Sequence, residues 1–277
     1  MLRSMYSGIS GMKNFQTKLD VIGNNIANVN TFGFKKGRVT FKDMVNQTIS
    51  GASAGVVGGK GGVNPKQVGL GSQLAAIDTV DTQGSLQTTG RVLDVAIQGD
   101  GYLAVDNNGV TTYTRAGNLY FDNNGTLVTS SGQPVLKYVA PTPPATEATW
   151  DRIQIDNINE VSNLSIDEDG TIRYLVSGSS AIQTEGPIGI ARFANNGGLE
   201  KIGENLYVET AASGPAAILQ PTNSGAGKIV SGSLEMSNVD LSEEFTEMIV
   251  AQRGFQANTR IITTSDEILQ ELVNLKR

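Results

Sequence analysis

Clusters of Asp, Asn and Gly are the first candidates for chemistry in this 277-residue sequence, because carboxylate and amide oxygens bind Ca²⁺. Three clusters occur, at residues 106–109, 122–125 and 169–170. An EF-hand loop places glycine at its sixth position and glutamate at its twelfth. With each cluster's glycine taken as the sixth position, the twelfth lacks a carboxylate in all three: Arg115, Ser131 and Val176. We therefore interpret the clusters as β-hairpin turns, which Asn-Gly and Asp-Gly pairs favour.

Two further candidate sites, a phosphate-binding loop and a pair of catalytic carboxylates, have weaker support in the sequence. The glycine-rich stretch from Ser50 to Gly62 contains G-G-K-G-G, but its lysine is not followed by Ser or Thr and a helix, as a phosphate-binding loop requires. Asp94 and Asp100 could form the carboxylate pair of a glycosidase. They flank a predicted strand and turn, and nothing in the sequence indicates a raised pKa for either. We therefore predict no catalytic residue, no metal site and no cofactor.

The amino-acid composition excludes further classes of function. The sequence contains no histidine and no cysteine, which excludes Ser-His-Asp and Cys-His catalysis, disulfides and the usual zinc sites. The formal net charge is −6, and lysines and arginines occur at most in pairs. Nucleic-acid binding needs a basic face, so we predict no nucleic-acid partner. Carboxylate-based catalysis remains open.

The sequence also bears on membranes and secretion. No apolar run approaches the roughly 20 residues of a membrane helix, so no membrane insertion is predicted. Arg3 is followed by an amphipathic stretch that carries Asn14, Lys18 and Asp20 in place of the apolar core of a secretion signal. We expect the protein to stay in the cytoplasm or to leave by a route that cleaves no such signal.

A helical pattern occupies the N-terminal end. Apolar residues recur at steps of three or four, which marks one face of a helix: Leu2, Met5, Ile9, Met12, Phe15, Leu19, Ile22, Ile26 and Val29. Gly8, Gly11 and Gly23 interrupt the pattern, and each costs about 0.5–1 kcal/mol relative to alanine. Such a helix is poor alone, but its small residues let another backbone approach closely.

The C-terminal end carries a second helical pattern. Asp240 is the expected N-cap, and Glu243 completes a capping-box pattern. A seven-residue frame follows: Leu241, Phe245, Met248, Phe255, Ile262, Leu269 and Val273. Gln252, Thr259 and Asp266 lie within this frame, and Ile261, Ile268, Leu272 and Leu275 form a second stripe. We expect the two ends to pair as a coiled coil and to bury themselves against neighbouring subunits. The alternative is that each helix packs on its own domain.

The middle of the chain has the character of β structure. Short apolar or β-branched runs alternate with turn signals: Val92–Ile97, Tyr102–Val105, Thr111–Thr114, Thr126–Thr129, Val135–Val139, Thr171–Val176, Ile188–Phe193 and Leu206–Thr210. The identical tetrapeptides D-N-N-G at 106–109 and 122–125 suggest successive hairpins. Trp150 follows a Pro-rich segment that we interpret as an exposed excursion from the sheet.

These patterns predict an α+β fold with a discontinuous domain organisation. Residues 1–33 and 238–277 are the expected helical domain, and residues 77–237 the expected β-rich domain. Residues 34–76 are the expected connecting segment. Its glycine-rich stretch predicts a flexible or irregular loop, or a segment that orders only between subunits.

Residues 24–35 read N-N-I-A-N-V-N-T-F-G-F-K; we call them the signature segment. Its asparagines can hydrogen-bond the backbone at a helix end, and Gly33 supplies a conformation that other residues resist. The segment closely resembles the signature of flagellar rod and hook proteins. Further stretches resemble the same family: Thr89–Tyr102, Tyr113–Asn118, Asp122–Val128, Gly203–Tyr207, Ser237–Phe245 and Gln252–Asn258. Residues 141–163 match only weakly.

The resemblance implies a structural subunit that polymerises with copies of itself into a hollow tube around an export channel. It implies terminal helices on the inside, a β domain on the outside, and passage through the flagellar export apparatus. The implied neighbours are adjacent rod proteins, hook–filament junction proteins and the hook cap. The residues expected to contact other subunits are Leu2, Met5, Ile9, Met12, Leu19, Ile22, Asn24, Asn25, Ile26, Asn28, Thr31, Gly33, Phe34, Leu241, Phe245, Met248, Gln252, Phe255, Ile262, Leu269 and Leu272.

Hook and distal rod are the two alternatives within this resemblance. Residues 89–97 look more hook-like, and the Pro-rich excursion suits an exposed outer surface. The chain is short for a hook subunit with an additional outer domain, and residues 46–69 resemble a stretch inserted in distal-rod subunits and in some hook subunits. We favour a short hook subunit, with a distal-rod subunit as the alternative. A secreted β-rich surface protein and a carbohydrate-active enzyme are the other classes considered.

Overall fold

The computed structural model describes residues 2–55, 61–140, 149–155, 158–177, 181–223 and 225–275. The chain forms two compact units. We call Met1–Ala27, Gly37–Thr79 and Asp240–Arg277 the helical unit, and Asn28–Lys36 with Val80–Val239 the β unit. This confirms an α+β fold with a β-rich centre. Most of the Pro-rich excursion (141–148) and the middle of the glycine-rich stretch (56–60) lie outside the described residues.

The helical unit contains two long helices that follow the predicted patterns. Helix α1 spans Leu2–Ala27, and helix α2 spans Leu241–Asn274. Asp240 caps α2 as predicted, since its side chain accepts hydrogen bonds from the backbone N–H groups of Ser242 at 2.8 Å and Glu243 at 3.4 Å. Such a cap satisfies donors that the first turn of a helix otherwise leaves unpaired.

The described residues between 37 and 79 form a β arm that lies between the helices in sequence, where a connecting segment with a glycine-rich loop was expected. We call these residues the hairpin arm. Its four strands are β1 (Gly37–Asp43), β2 (Asn46–Ser50), β3 (Lys66–Gly69) and β4 (Ser72–Thr79). Strand β1 pairs antiparallel with β4, and β2 pairs antiparallel with β3. Beyond β2, Ser53 and Val63 exchange backbone hydrogen bonds of 3.0 Å, so pairing continues into the described part of the glycine-rich stretch.

The β unit consists of short strands and two single-turn 3₁₀ helices, Ile158–Glu160 and Asn196–Gly198. Its strands are β5 (Leu86–Thr88), β6 (Val95–Gln98), β7 (Tyr102–Asn107), β8 (Val110–Thr114), β9 (Leu119–Phe121), β10 (Leu127–Thr129), β11 (Leu136–Val139), β12 (Thr149–Arg152), β13 (Val161–Ile166), β14 (Ile172–Val176), β15 (Ile182–Glu185), β16 (Ile190–Arg192), β17 (Glu200–Gly203), β18 (Leu206–Val208), β19 (Ala217–Leu219), β20 (Lys228–Ser231) and β21 (Ser233–Glu235). The largest sheet has the order β17-β18-β8-β7-β16-β19, and a second has the order β13-β14-β15. The remaining strands pair as β9–β10, β11–β12, β6–β20 and β5–β21.

The core of the β unit lies on both faces of β7. Leu103 and Val105 point into a large aliphatic cluster, whereas Tyr102 and Ala104 point into a cluster of aromatic residues. Alternate residues of a strand face opposite sides, so a strand that is buried on both sides must be apolar throughout. In the second cluster, the rings of Tyr113 and Phe193 meet edge to face, 4.8 Å apart.

Both predicted hairpins are confirmed. Strands β7 and β8 pair up to Asn107 and Val110, which leaves Asn108 and Gly109 as a two-residue turn with positive φ at both positions. This is the conformation that an Asn-Gly pair favours. Strands β9 and β10 pair around the second tetrapeptide, where Gly125 has φ 74°.

The observed units are bounded differently from the three predicted segments. The hairpin arm groups with the helices, and residues 28–36 group with the β unit. Two side chains of the β17–β18 hairpin hold these latter residues: Lys201 Nζ donates to the Lys35 carbonyl at 2.9 Å, and Asn205 Nδ2 donates to the Phe32 carbonyl at 3.2 Å.

Candidate subunit-interaction surface

Helices α1 and α2 pack against each other in antiparallel directions. Lys18 Nζ lies 3.0 Å from Glu247 Oε2, and nearer the start of α1, Met12 Sδ lies 3.8 Å from Thr259 Oγ1. Contacts thus move towards the end of α2 as they move towards the start of α1. The coarse prediction that both chain ends form helices is confirmed, and the helices of one chain lie side by side.

Small residues bring the two helices together. A Cβ atom added at Gly254 would lie 2.5 Å from the ring of Phe15, and one added at Gly11 would lie 2.9 Å from Asn258 Oδ1. Real Cβ atoms essentially never approach other atoms to less than 3.0 Å. The glycines that weaken each helix in isolation therefore allow the close packing of the pair.

Asn25 is the polar clamp of the helical unit. Its side chain is buried, exchanges two 2.9 Å hydrogen bonds with the backbone of Gly37, and donates at 3.2 Å to Glu244 Oε2. It therefore joins the last turn of α1, the start of β1 and the first turn of α2. The carboxylate of Glu244 is also buried, at the N-terminal end of α2, where the helix dipole favours negative charge.

A cluster of paired charges inside the β unit anchors Lys35, the last residue of the signature segment. Lys35 Nζ lies 2.7 Å from Glu235 Oε1, and Arg115 Nη1 lies 3.1 Å from Glu235 Oε2. Lys35 also donates to the Thr82 carbonyl at 2.9 Å and lies 3.9 Å from Asp81 Oδ1. Lys35, Arg115 and Glu235 are each less than 5% exposed. Their pairing offsets the large cost of burying single charges.

Burial dominates the electrostatics of this cluster. Desolvation lowers the pKa of Lys35 below its usual value, although the nearby Glu235 carboxylate favours the protonated ammonium. Desolvation also raises the pKa of Tyr102, which belongs to the adjacent aromatic cluster. Both directions follow from the cost of holding a charge away from water.

Gly33 fixes the turn of the signature segment. Its φ is +69°, and a Cβ atom there would lie 2.6 Å from the carbonyl carbon of Arg115. Its N–H donates to the Glu235 carbonyl at 2.8 Å. The prediction that Gly33 supplies a conformation resisted by other residues is therefore confirmed.

The surface of the helical unit is rich in exposed apolar side chains. Among the described residues of this unit, Ile22 and Ala251 alone are buried apolar residues. The exposed ones lie on α1, on the hairpin arm and along α2: Tyr6, Phe41, Met44, Val45, Ile49, Val63, Val68, Leu74, Ile77, Leu241, Phe245, Ile249, Val250, Ile261, Ile268, Leu272, Val273 and Leu275. Many exposed apolar side chains on one unit are typical of protein interaction surfaces.

Comparisons with known proteins agree with this architecture. Three family profiles match: "Flagella basal body rod protein" at residues 5–35, "Flagellar hook protein FlgE/F/G D1 domain" at 96–174 and "Flagellar basal body rod FlgEFG protein C-terminal" at 230–275. The chain is 60% identical over 279 residues to the flagellar basal-body rod protein FlgG of Bacillus subtilis (strain 168), and both chains are covered completely.

The chain belongs to the flagellar rod and hook protein family. It is also similar to FlgG of Borreliella burgdorferi, with 39% identity over 280 residues, and to the hook protein FlgE of the same organism, with 32% identity over 444 residues. Both alignments cover the complete chains. This flagellar subunit is therefore a structural protein of the flagellum, as the signature segment predicted. Family members of this kind are structural proteins and not enzymes.

The structure places the predicted contact residues of this flagellar subunit at three depths. Four are buried within their own chain: Ile22, Asn25, Gly33 and Phe34. Five are exposed: Asn24, Leu241, Phe245, Gln252 and Leu272. The others are half-buried: Met5, Ile9, Met12, Leu19, Ile26, Asn28, Thr31, Met248, Phe255, Ile262 and Leu269. The side chain of Leu2 lies outside the described residues.

The buried residues organise the flagellar subunit itself, as Asn25 and Gly33 show. Sequence reasoning omitted the exposed apolar residues of the hairpin arm, because it treated the arm as a connector. Val45 and Ile49 are 79% and 65% exposed. The signal that could have identified them is the recurrence of β-branched residues between positions 45 and 49.

Two observations on the described residues concern membrane insertion and metal binding. None of the helices in the described part of this flagellar subunit combines the length and apolar character that crossing a membrane requires. Within the same described residues, no group of three or more His, Cys, Asp or Glu side chains is arranged to hold a metal ion.

Proposed function

We propose that this protein is a subunit of the distal flagellar rod, which polymerises with copies of itself through its helical unit. The observation that carries the proposal is the contrast between the apolar surface of that unit and its near lack of a core. A helix pair with so little buried apolar area gains most of its stability from neighbours. The predicted hollow tube, with helices inside and the β unit outside, would supply those neighbours.

Length and similarity favour rod over hook. The rod relatives FlgG align over 279 and 280 positions, with only a few gap positions in this chain, at 60% and 39% identity. The hook relatives of Borreliella burgdorferi and Treponema pallidum align over 444 and 465 positions, at 32% and 30% identity. A 277-residue chain spans those alignments only with long gaps. A short hook subunit, favoured by the sequence motifs, remains the second candidate because both hook relatives match the whole chain.

The paired helices are the proposed assembly element. In the tube, α1 and α2 of one chain would pack as a two-stranded antiparallel coiled coil, and their exposed stripes would contact the next subunits. Thr259 already contacts Met12 within the chain, whereas Gln252 and Asp266 are exposed. We therefore assign Gln252 and Asp266 to register between subunits, a role that polar residues in an apolar seam often have. Adjacent rod proteins, junction proteins, the hook cap and the export apparatus are the proposed further partners.

A single label distinguishes the two candidates. Ile182, on β15, is 66% exposed, and the chain contains no natural cysteine. We expect Ile182→Cys, produced in cells that lack the natural gene, to bind maleimide-gold on the straight envelope-spanning part of isolated basal bodies. Label on the curved external segment would make the protein a hook subunit. Label scattered over the cell surface would contradict both. The cysteine-free parent chain is the matched control.

A second experiment tests the role of the helical unit. Ile249→Ser, on α2, should abolish concentration-dependent self-association of the purified chain in sedimentation. Ile182→Ser removes an equally exposed isoleucine from the β unit and should leave self-association unchanged. Equal loss in both variants would remove the helical unit from its proposed role.

A further inference from the structure

A groove at the start of α1 is open to a ligand. It is lined by Arg3, Tyr6, Ile9, Ser10 and Lys13 of α1, and by Met44 and Leu70 of the hairpin arm, and it has a volume of about 410 Å³. We call it the α1 groove. The lining is mainly apolar, Tyr6 is 68% exposed, and Arg3 and Lys13 place two exposed cations at the groove. These features fit an apolar partner that carries negative charge.

The end of α2 has the complementary chemistry. Residues 268–275, which we call the α2 extension, expose Ile268, Leu272, Val273 and Leu275 at 47–82%. Between residues 261 and 275 the sequence has three acidic side chains, Asp266, Glu267 and Glu271, and no lysine or arginine, while Lys276 and Arg277 follow this segment. Residues 1–19 have three basic side chains and no acidic one. The two segments are therefore complementary in both charge and apolar character.

The α2 extension cannot reach the groove of its own chain. Gly8 lies opposite Ile262 in the antiparallel pair, so Tyr6 lies opposite residues near 264. Residue 272 then lies eight residues farther on, about 12 Å along the helix axis. In length, however, the two partners match: the α2 extension is about 12 Å long, and the stripe from Arg3 to Lys13 is about 15 Å long.

We infer that the α2 extension of one copy binds in the α1 groove of a second copy. Leu272 and its apolar neighbours fill the groove beside Tyr6 and Met44. Glu271, together with Glu267 immediately before the extension, pairs with Arg3 and Lys13. The inference rests on the proposed function and specifies one of its contacts. The α2 extension and the α1 groove are different surfaces, so the contact is heterologous. A heterologous contact can propagate from copy to copy without closing, as a rod requires.

Cysteine cross-linking tests the contact directly. Tyr6→Cys and Leu272→Cys in one chain should form disulfides between copies in isolated basal bodies, because a disulfide needs Cα atoms about 4.4–6.8 Å apart and the two sites within one chain are too distant. Each copy is both donor and acceptor, so a non-reducing gel should show a ladder of multimers. Tyr6→Cys with Val110→Cys, an exposed β-unit site, gives the background.

The outcomes separate the contact from the function. A ladder well above the background confirms the groove. Chain present in basal bodies without a ladder overturns the groove and leaves the rod function standing. If circular dichroism shows that the double-cysteine chain and the cysteine-free parent are both folded, but neither is found in basal bodies, the proposed function itself is overturned.

Charge reversal provides an independent test. Arg3→Glu with Lys13→Glu, or Glu267→Lys with Glu271→Lys, should each lower incorporation into basal bodies at least about tenfold, because like charges facing each other weaken an interface. All four changes in one chain should restore incorporation. Lys42→Glu with Lys66→Glu changes two exposed charges of the hairpin arm and is the matched control. Unchanged incorporation of the chain with Glu267→Lys and Glu271→Lys would overturn the inference.

Discussion

The helical unit and the β unit use their apolar residues in opposite ways. The β unit buries its apolar residues in two adjoining clusters and even encloses a set of paired charges. The helical unit, in its described residues, buries Ile22 and Ala251 and exposes most of its large apolar side chains. Burying apolar surface is the main driving force of folding, at about 25 cal/mol per Å². The β unit therefore gains apolar burial from its own contacts, whereas the described residues of the helical unit gain little from theirs.

The charge cluster of the β unit is where a single substitution should have the largest effect. Glu235→Gln keeps the shape of the side chain but removes the carboxylate that both Lys35 and Arg115 contact. It leaves Asp81, 3.9 Å from Lys35, as the remaining nearby acid. We expect a loss of about 3–5 kcal/mol in the unfolding free energy of the β unit. Urea unfolding followed by the fluorescence of Trp150, the single tryptophan and a β-unit residue, measures it. Glu200→Gln, at an exposed acid of β17, should change stability little. Equal midpoints for both variants would contradict the prediction.

The apolar residues of the two units should respond differently to truncation. Leu127, on β10, is fully buried, whereas Ile249, on α2, is 59% exposed. We expect Leu127→Ala to destabilise the β unit by about 3 kcal/mol, because it removes buried atoms and leaves a cavity. Ile249→Ala should change the stability of the dilute chain by less than about 0.5 kcal/mol. Urea unfolding monitored by circular dichroism tests both. A similar loss in both variants would show that the helical unit has a core of its own.

The backbone of the signature segment gives a smaller effect. Gly33→Ala forces a side chain into a left-handed conformation and against the Arg115 backbone, and we expect a loss of about 2 kcal/mol or more. Gly109→Ala is the matched control, since its φ is also positive but open space surrounds it. Its expected cost is about 1 kcal/mol. If the order of the two losses in urea unfolding is reversed, the close approach at Gly33 does not constrain the fold.

Alkaline pH should destabilise the β unit gradually. Burial raises the pKa of Tyr113 to about 12, and burial also raises the pKa values of Tyr102 and Tyr207. An unfolded tyrosine ionises near pH 10, so the unfolded state releases protons first. Stability is therefore complete below about pH 10 and falls as the pH rises towards 12, by up to about 1.4 kcal/mol per pH unit for each tyrosine.

Two buried lysines have the opposite effect on the pH dependence of stability, and they have it at lower pH. Burial lowers the pKa values of Lys35 and Lys201, so their contribution grows as the pH rises and is complete near the ordinary lysine value of about 10.5. Above that value stability declines, because the tyrosines act there together with Lys137, whose pKa is raised by its hydrogen bond to Glu185. Urea midpoints measured as the pH rises should show a shallower decline in Tyr113→Phe and an unchanged one in Tyr120→Phe, whose ring is 45% exposed. An unchanged slope in Tyr113→Phe would rule out its role.

The elements that sequence predicted well depend on neighbouring residues. The cap at Asp240 and the turn at Asn108-Gly109 are set by hydrogen bonds and dihedral preferences within a few residues. Helix α1 was predicted from apolar spacing and ends two residues before the expected Val29. Such signals are readable from one sequence, because the partners lie next to each other in the chain.

The features that sequence did not predict join distant residues. Glu235 pairs with Lys35 and Arg115, which are 200 and 120 positions away. The hairpin arm was missed for a different reason: its strands β2 and β3 are exposed on both faces, so they lack the alternation that marks a strand packed on a core. The subunit-contact residues remain a prediction, because a partner surface leaves no periodic signal distinct from that of a core.

The insertion of the β unit between α1 and α2 also sets an order in time. A ribosome completes residues 28–239 before it adds Leu241, so the β unit has all its strands while α1 still has no helix to pair with. Pairing of α1 with α2 must then close a loop that contains the entire β unit, and contacts this distant in sequence form more slowly than local hairpins. The part of the chain that is made first is therefore among the last to reach its final structure.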